Sequence, residues 1–474
     1  MIPTIYPVTC HTDHVGEGSV FVAINGFKEN GIEYIEKAIQ KGATSIFSED
    51  LGQCQQLSRK YPKIVFQLTD DSRKTLATLS SEFLGNPSSK LKIIGVTGTK
   101  GKTTTAYIIE HILRSAGHKT ALIGTIKNKI LDREVSADLT TPESDYLHMF
   151  FAQCVEDGVT HVIMEVSAHA LTLKRVLGLK FDVVCFTNLA SEHMDFYKNM
   201  QEYFNAKYLL FNQLKPEGLA IINGDNEWGK VAAKELLQNR TQNVILFSQK
   251  NYNKIATHNF KIEHSDNHSL LLSLCKGSFE EKFGCRMLFG EFNAYNIISS
   301  ILSVSHFDIS YSKIKLALNS FLGVAGRMQL HTLQNGARAF VDFAHNPSSF
   351  EAILKVLRKM TSHLIVVFGC GGDKDKTKRP IMGRMAEVYG DLLIVTDDNP
   401  RFEEGKKIIQ DILSGILKRK NCLIEPDRKQ ALKAAISFSK PGSVVAILGK
   451  GHESYYFVKG KKIYFDDFVE ISKY

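Results

Sequence analysis

The sequence predicts an α/β protein whose mainly parallel sheets are covered by helices and shared among three domains. Three observations lead there. The chain has 474 residues, and at roughly 150 residues per domain that length argues for about three. Apolar runs of strand length alternate throughout with amphipathic runs of helix length, the pattern of parallel sheets with helical crossovers. Finally, residues rare in purely structural segments follow the predicted strands, at Gly98 to Thr104, Glu165 to His169, Asn188 to Asp195, Gly369 to Arg379, Asp397 to Arg401 and Gly449 to Glu453. Ligands bind just beyond the carboxyl ends of parallel strands, so two such edges in two domains are expected to face one another across a cleft.

The elements follow in order. The first domain, residues 1–89, contains the apolar run Val20 to Ile24, an amphipathic stretch Ile32 to Gln40, the short runs IFS and IVFQL, and a helical pattern from Ser72 to Leu84. Gly85-Asn86-Pro87-Ser88-Ser89 combines a helix stop with turn residues and marks the boundary. The second domain, 90–325, opens with a strand Ile93 to Thr97. A Gly-Lys-Thr loop follows, then a helix beginning near Thr104 with Ile108, Ile109, Ile112, Leu113 and Ala116 on one side and Gly117 at its end. Further strands read ALIGT, HVIMEV, FDVVCFTNL and LAIIN, with a helical stretch Met200 to Leu214 before the last. The third domain, 326–474, is Rossmann-like, with strands AFVDFAH, LIVVFG, LLIVTDD and VVAILG, and the N-terminal α/β domain is the smaller one.

Composition narrows the class. Apolar residues make up 43% and charged residues 23%, so the chain can bury full cores and shows no disordered or fibrous bias. A formal charge of +9 favours anionic ligands but falls short of a nucleic-acid-binding surface. The eight cysteines form no Cys-x-x-Cys pair, which argues against zinc and redox sites and for a reducing cytoplasm. No secretory signal is visible at MIPTIYP, and no apolar run approaches the roughly 18 residues of a membrane span. A cytoplasmic monomer without a membrane span is the expectation.

Residues 95 to 105 read GVTGTKGKTTT. Gly98 and Gly101 let backbone N–H groups approach phosphate oxygens, Lys102 reaches the terminal phosphates, and Thr103 can bind a magnesium ion. The helix that follows points its positive end at the anion. Val96 stands where the full phosphate-loop pattern has its first glycine. The strand before and the helix after support nucleotide binding, and with no NKxD guanine-reading motif ATP is preferred to GTP.

From this loop onward the chain resembles the Mur ligases, the ATP-dependent amide-forming enzymes that build the peptidoglycan stem peptide. The resemblance rests on GTKGKTTT, LTTPES, MEVSAHAL, FTNLASEHMDF, YFNAKYLLF, GEFNAYN, AGRMQ, VDFAHNP, FGCGGDKDKTKRP, TDDNPR and GKGHE, in that order. It implies that ATP phosphorylates the D-Glu carboxylate of UDP-N-acetylmuramoyl-L-Ala-D-Glu and that an amine attacks the acyl phosphate, with Mg2+ neutralising the gathered anions. It also implies an ATP set of Gly98, Thr99, Lys100, Gly101, Lys102, Thr103 and Thr104, joined by Asn293 and Asn296 for adenine, Arg327 near the phosphates, and Asp342 and His345 on the ribose or metal side. Thr103, Glu165 and His193 match metal positions. Lys207 matches a lysine carbamylated to N6-carboxylysine, which would hold a second magnesium. Lys102, His193 and Lys207 form the expected catalytic set.

For the UDP-substrate the resemblance points to Thr140, Thr141, Ser167, His169 and Arg175, whose hydroxyls and guanidinium suit a diphosphate and carboxylates. In the first domain the family's Asp-Ser-Arg is replaced by His11-Thr12-Asp13, so Thr12 keeps a hydroxyl while the arginine is absent. The motif spanning Asp398, Asn399, Pro400 and Arg401 resembles the signature of diaminopimelate-adding members. Meso-diaminopimelate carries a far carboxylate that Arg401 can grip bidentately and that lysine lacks. Gly449 and Glu453 match positions for the distal ammonium, and Lys374 stands where the family has arginine. Because the expected sites come from both later domains, a hinge near Ala325 is expected as well.

The rival readings are a lysine-adding ligase, a folylpolyglutamate synthase and, from another class, a phosphate-loop switch or nucleic-acid motor. TDDNPR and the separate N-terminal domain oppose the first two. NAKYLLF and GKGHE have no place in the third.

Overall fold

The N-terminal alternation forms a small parallel sheet in the order β1 (Val8–Thr9), β2 (Val20–Val22), β3 (Ser45–Ser48) and β4 (Val65–Leu68), covered by α1 (Ile35–Gln40), α2 (Leu51–Lys60) and α3 (Ser72–Phe83). Asp50 and Asp71 start α2 and α3 by accepting from the backbone N–H groups of Gln53 and Lys74, each at 2.9 Å, which satisfies donors that a helix start leaves open. Phe21, Ile35, Ala38 and Ile46 close a core beneath the sheet. The structure, a computed structural model, describes residues 2–26, 29–239, 243–249, 257–265 and 269–474. It has two compact units, the first Met1–Lys261 with Ser273–Glu281 and Tyr295–Ala317, the second Ile262–Leu272 with Lys282–Ala294 and Leu318–Tyr474. The first unit thus carries both the small sheet and most of the sheet that follows it.

That larger sheet is built from β5 (Lys92–Thr97), α4 (Lys102–Ser115), β6 (Thr120–Ile123), β7 (Lys127–Ile130), β8 (Arg133–Ser136), α5 (Ser144–Glu156), β9 (His161–Glu165), α6 (Ala168–Thr172), β10 (Phe181–Phe186), α7 (Met200–Tyr208), β11 (Leu214–Asn223), α8 (Glu227–Asn239) and β12 (Asn243–Ser248). Eight of its eleven strands lie wholly in the first unit, in the order β12-β11-β10-β5-β9-β6-β7-β8. They are parallel from β12 to β6 and antiparallel across β6, β7 and β8. The strands β13 (His258–Ser265), β14 (Leu270–Lys276) and β15 (Phe279–Cys285) are shared between the units, and α9 (Glu291–Ser305) and α10 (Tyr311–Ser320) follow. Ile108, Ile109, Ile112 and Leu113 of α4 are fully buried, as their spacing predicts. At about 1.5–3 kcal/mol for each such side chain, this packing fixes the helix at the end of β5.

The third alternation supplies β16 (Gln329–Thr332), β17 (Arg338–Asp342), α11 (Pro347–Lys359), β18 (Leu364–Phe368), α12 (Lys378–Tyr389), β19 (Leu392–Val395), α13 (Gly405–Leu413), β20 (Cys422–Ile424), α14 (Arg428–Phe438), β21 (Val444–Leu448), the hairpin β22 (Tyr455–Val458) with β23 (Lys461–Tyr464), and α15 (Asp467–Ile471). The sheet order is β16-β17-β21-β18-β19-β20, antiparallel only at β16. Leu448 pairs with both Asp342 and Phe368, and Phe368 pairs with Val395, so the strands end in line. VDFAHNP, GKGHE, FGCGGD and TDDNPR are thereby set side by side on one edge.

Three predicted bounds shift. Helix α4 starts at Lys102 rather than near Thr104, Phe186 ends β10 so that Thr187, Asn188 and Leu189 belong to the loop, and the predicted helix Met200 to Leu214 ends at Tyr208 with a single 3-10 turn Phe211–Gln213 beyond it. All eight cysteines are free.

Candidate active site

In the first unit the phosphate loop is pinned by the neighbouring strand end. Phe186 pairs with Thr97 across β10 and β5, which sets Thr187 and Asn188 beside the loop. Thr187 Oγ1 donates to Lys100 O at 2.6 Å and Asn188 Nδ2 to the same oxygen at 3.0 Å, while Lys100 N donates to Asn188 Oδ1 at 3.0 Å. Gly98 has φ +142, and a Cβ there would collide with Thr187 Oγ1, so only glycine lets the strands close this tightly. Thr99 Oγ1 accepts from Ala190 N at 3.0 Å and lies 3.4 Å from the Tyr203 hydroxyl. Lys102 folds its ammonium onto Gly98 O and Thr99 O, at 2.9 and 3.0 Å, at the mouth of α4. Thr104 is buried two residues further in, and Thr105 Oγ1 lies 3.4 Å from Asn296 Oδ1 on α9.

Glu165 ends β9 beside Val96 and is buried. Its Oε2 accepts from Thr103 Oγ1 at 2.9 Å and from Thr125 Oγ1 at 3.1 Å, and its Oε1 accepts from Thr125 N at 2.8 Å. A hydroxyl and a carboxylate converging at this distance are hard oxygen donors that suit Mg2+. Among the described residues no cluster of three or more His, Cys, Asp or Glu could hold a metal. An ion here would therefore rely on water and phosphate oxygens, as magnesium commonly does.

Lys207 lies on α7, 1% exposed, with Nζ donating to Gly98 O at 2.9 Å and lying 4.7 Å from the Tyr203 ring centroid. Burial, with Lys102 adding to it, pushes its amine well below the usual lysine range. His193 has φ +60, and its ring meets that of His169 edge-on at 4.7 Å. Loss of solvent depresses both imidazoles, His169 to about 4, and the charges of Lys102 and Lys207 push His193 further down.

The predicted UDP-substrate residues of this unit converge on the same strand end. Thr141 Oγ1 donates to Glu165 O at 2.9 Å and accepts from Ser167 N at 3.1 Å, and Ser167 Oγ caps α6 by accepting from Ala170 N. Thr140 Oγ1 lies 3.1 Å from Thr125 Oγ1. Arg175 donates to Thr141 O at 3.0 Å and pairs with Glu143 at 2.7 Å. Thr12 is buried in a single 3-10 turn of the small domain, where Lys41 donates to its carbonyl. That domain is tied to α5 by Asp145, whose Oδ2 accepts from Thr9 Oγ1 and Cys10 N at 2.8 and 3.2 Å.

In the second unit, Asn293 donates to Phe289 O at 2.8 Å, near the start of α9. Asp342 is spent on the backbone: its oxygens accept from Met328 N and Ala344 N at 2.7 and 2.8 Å. It therefore shapes the turns that carry its neighbours, with Arg327 lying over the Phe343 ring at 4.8 Å and His345 Nδ1 sharing a hydrogen bond with Phe343 O.

The amino-acid motif forms a cluster. Asn399 Nδ2 donates to Glu453 Oε2 at 2.7 Å and Asn399 Oδ1 accepts from Phe457 N at 2.8 Å. Burial, and then the charge of Asp398, raise the Glu453 carboxyl above its usual range. Gly449 N donates to Asp342 O at 3.1 Å. Pro400 is buried, and Arg401 adopts φ +56, exchanging backbone bonds with Phe457 O and Lys459 N at 2.8 Å each. Its Nε is buried without a hydrogen-bond partner among the described residues. Lys374 is exposed on the loop after β18.

Sequence reasoning passed over Thr187, Thr125, Glu143 and Arg428. Arg428 is fully buried with Asp467 in a two-pronged pair at 2.8 and 2.7 Å, and it donates to Leu448 O and Asp397 O at the roots of GKGHE and TDDNPR. An arginine in the first turn of a helix reads as a surface charge, and only the buried Asp467 far along the chain reveals otherwise.

Residues 96–304 match the model of the Mur ligase middle domain, and residues 326–451 match that of the Mur ligase glutamate ligase domain. A Clostridium tetani protein named UDP-N-acetylmuramoyl-L-alanyl-D-glutamate--2,6-diaminopimelate ligase is 39% identical over 96% of this chain and 91% of its own length. An Aquifex aeolicus protein of the same name is 39% identical over 97% and 91%. A solved structure under that name superposes with a TM-score of 0.71 at 27% identity, covering 99% of this chain and 94% of that one. The fold also recurs in the MurF ligase of Thermotoga maritima solved with ADP, at a TM-score of 0.64, 19% identity and 94% of both chains.

Proposed function

The chain belongs to the Mur ligase family, and we propose that it is an ATP-dependent ligase joining 2,6-diaminopimelate to UDP-N-acetylmuramoyl-L-alanyl-D-glutamate in peptidoglycan precursor synthesis. The observation that carries the choice of amino acid is the cluster of Asn399, Arg401 and Glu453, a carboxylate and an amide beside a guanidinium with an unused buried Nε. A zwitterionic far end, one carboxylate and one ammonium, matches that set. Lysine would leave Arg401 unmatched.

The residues divide the work. The loop from Gly98 to Thr104 with Lys102 would hold the triphosphate, and Asn293, Asn296, Arg327 and His345 would serve the rest of the nucleotide, with Asp342 shaping the turns that carry Arg327 and His345. Thr140, Thr141, Ser167, His169, Arg175 and Thr12 would orient the UDP-substrate so that its D-Glu carboxylate meets the terminal phosphate. Thr103, Glu165, His193 and Lys207 would hold magnesium, which when bound supplies positive charge against the crowded anions. Lys374, Asp398, Asn399, Pro400, Arg401, Gly449 and Glu453 would hold diaminopimelate, the meso isomer on the family's pattern, with its amine free to attack the acyl phosphate.

Lys207 supports the carbamate reading because reaction with carbon dioxide requires a neutral amine, which burial favours. Carbamylation would replace +1 by −1 and lower the formal charge from +9 to +7. The nucleotide substrates suit an enzyme working in the cytoplasm, and among the described residues no helix is long and apolar enough to cross a membrane.

The test is phosphate release. It is expected only when ATP, UDP-muramoyl dipeptide and diaminopimelate are all present, and DNA or RNA should have no effect. Release stimulated by nucleic acid would overturn the reading. Carbon-13 NMR in labelled bicarbonate should show a carbamate signal that Lys207→Ala abolishes; its absence in the active parent enzyme would sink the modification.

A further inference from the structure

Arg379, the first turn of α12, is among the largest fully buried side chains of the protein. One of its terminal nitrogens donates to Glu403 Oε2 at 3.0 Å and to Asp411 Oδ2 at 2.8 Å. The other donates to Glu403 Oε1 at 3.1 Å and to Gly371 O at 3.2 Å. Both Glu403 oxygens are thus gripped by one guanidinium, the strongest geometry a carboxylate and an arginine can adopt. The pair holds the Glu403 carboxyl down to about 2.

The position of this pair gives it its meaning. Glu403 lies two residues after Arg401, and its Oε1 also accepts from Asp373 N at 2.7 Å, on the loop after β18. The two loops touch again where Gly372 N donates to Asn399 O at 2.9 Å and where Asp373 Oδ2 accepts from Phe402 N at 3.3 Å. A Cβ on Gly372 would collide with Pro400 O, so the backbones are in direct contact. On its other side the Arg401 turn is laced to β22 through Phe457 O and to the hairpin turn that follows through Lys459 N. Arg401 itself sits at φ +56, a conformation that non-glycine residues keep only where the surroundings impose it.

We infer that Arg379 and Glu403 are positioning residues for amino-acid selection, which clamp the loop after β18 against the turn after β19 and so hold Arg401 in the left-handed conformation that presents its guanidinium to the far carboxylate of the incoming amino acid. Neither residue touches the substrate. Their effect passes through Arg401, so the inference rests on the reading of Arg401 given above. That dependence dictates the test.

Steady-state kinetics of the full-length enzyme would compare Glu403→Gln, Arg401→Ala and their double variant, with Arg379→Lys as a second probe of the clamp and Asp411→Asn as a control that leaves the Glu403 grip intact. Glu403→Gln keeps the side-chain volume and is expected to raise the KM for diaminopimelate about tenfold, with the KM for ATP within twofold of the parent. Discrimination against lysine should fall by a similar factor. Arg379→Lys should behave alike, and Asp411→Asn should stay within twofold throughout. The double variant should be no worse for diaminopimelate than Arg401→Ala alone, since a clamp with nothing to present has no further effect. Additive effects in the double variant, or equal rises in the KM for ATP and diaminopimelate, would overturn the clamp. An unchanged diaminopimelate KM in Glu403→Gln, with Arg401→Ala impaired, would overturn it as well. If Arg401→Ala itself leaves that KM unchanged, the reading of Arg401 fails instead, and the inference fails with it.

Discussion

Replacing Gly98 by alanine should disable ATP binding while leaving the second unit intact. The magnitude follows from the loop geometry. Gly98 has φ +142, and the added Cβ would collide with Thr187 Oγ1 and lie 3.0 Å from both Asn188 N and Asn188 O. The backbone strain costs about 1–3 kcal/mol, and relieving the overlap costs about 1–3 kcal/mol more because the contacts are backbone and a hydrogen-bonded hydroxyl rather than a free side-chain end. Thr187 also donates to Lys100 O at 2.6 Å, so moving it unpins the loop. A penalty near the middle of that sum, about 4 kcal/mol, corresponds to roughly a thousandfold loss of affinity if it falls wholly on the loop. Isothermal titration with ATP and magnesium, paired with thermal melting of both units, separates lost binding from lost folding. ATP affinity within threefold of the parent at an unchanged melting temperature would refute the claim that this close approach shapes the phosphate site.

Acid should destabilise the fold through His148, which is 2% exposed with Nδ1 unpartnered among the described residues and is pushed by burial down to about 4. The unfolded imidazole binds its proton near pH 6.5, so stability is complete above that value and falls as the pH drops toward 4. About 2 kcal/mol should be lost by pH 4.5. Urea midpoints at pH 7 and 4.5 should show a smaller loss in His148→Phe, and equal losses in variant and parent would contradict it. Asp467→Asn leaves Arg428 buried with an uncompensated charge, and chemical denaturation should find the second unit less stable by about 3–5 kcal/mol; a loss under about 1 kcal/mol would mean the pair is not buried in solution.

Much of this architecture can be read from the sequence because strand and helix periods are local. The phosphate loop is legible for the same reason, since its strand, glycines, lysine and helix are contiguous. What escapes is set by register. Thr187 matters because β10 pairs with β5 at Phe186 and Thr97, and nothing within FTNLAS announces that pairing. Asp342 sits in a motif shared with ligand-binding enzymes, yet its oxygens face Met328 and Ala344 because the chain turns back upon itself there. Helix α2 is not legible in the sequence because it buries only Cys54 and Leu57, too few for a visible apolar stripe. The hairpin β22–β23 that steadies Arg401 escapes because YYFVKGKKIY lacks the apolar–polar alternation of a half-buried strand pair. Arg428 reads as a surface charge until Asp467 comes into view, and Arg379, although it closes the segment Gly369 to Arg379, shows its role only through Glu403 and Asp411.

The central claim, that the cluster around Arg401 selects an amino acid with a carboxylate at its far end, is tested most directly by competition. With UDP-N-acetylmuramoyl-L-Ala-D-Glu and ATP fixed, the enzyme would be offered diaminopimelate isomers, lysine and glutamate together and the products resolved by mass. Leaving the half-buried Arg401 guanidinium, whose Nε is shielded from solvent, without a partner costs about 1–3 kcal/mol, which predicts that kcat/KM favours meso-diaminopimelate over lysine by at least about tenfold. Incorporation of lysine at a comparable rate would contradict the account.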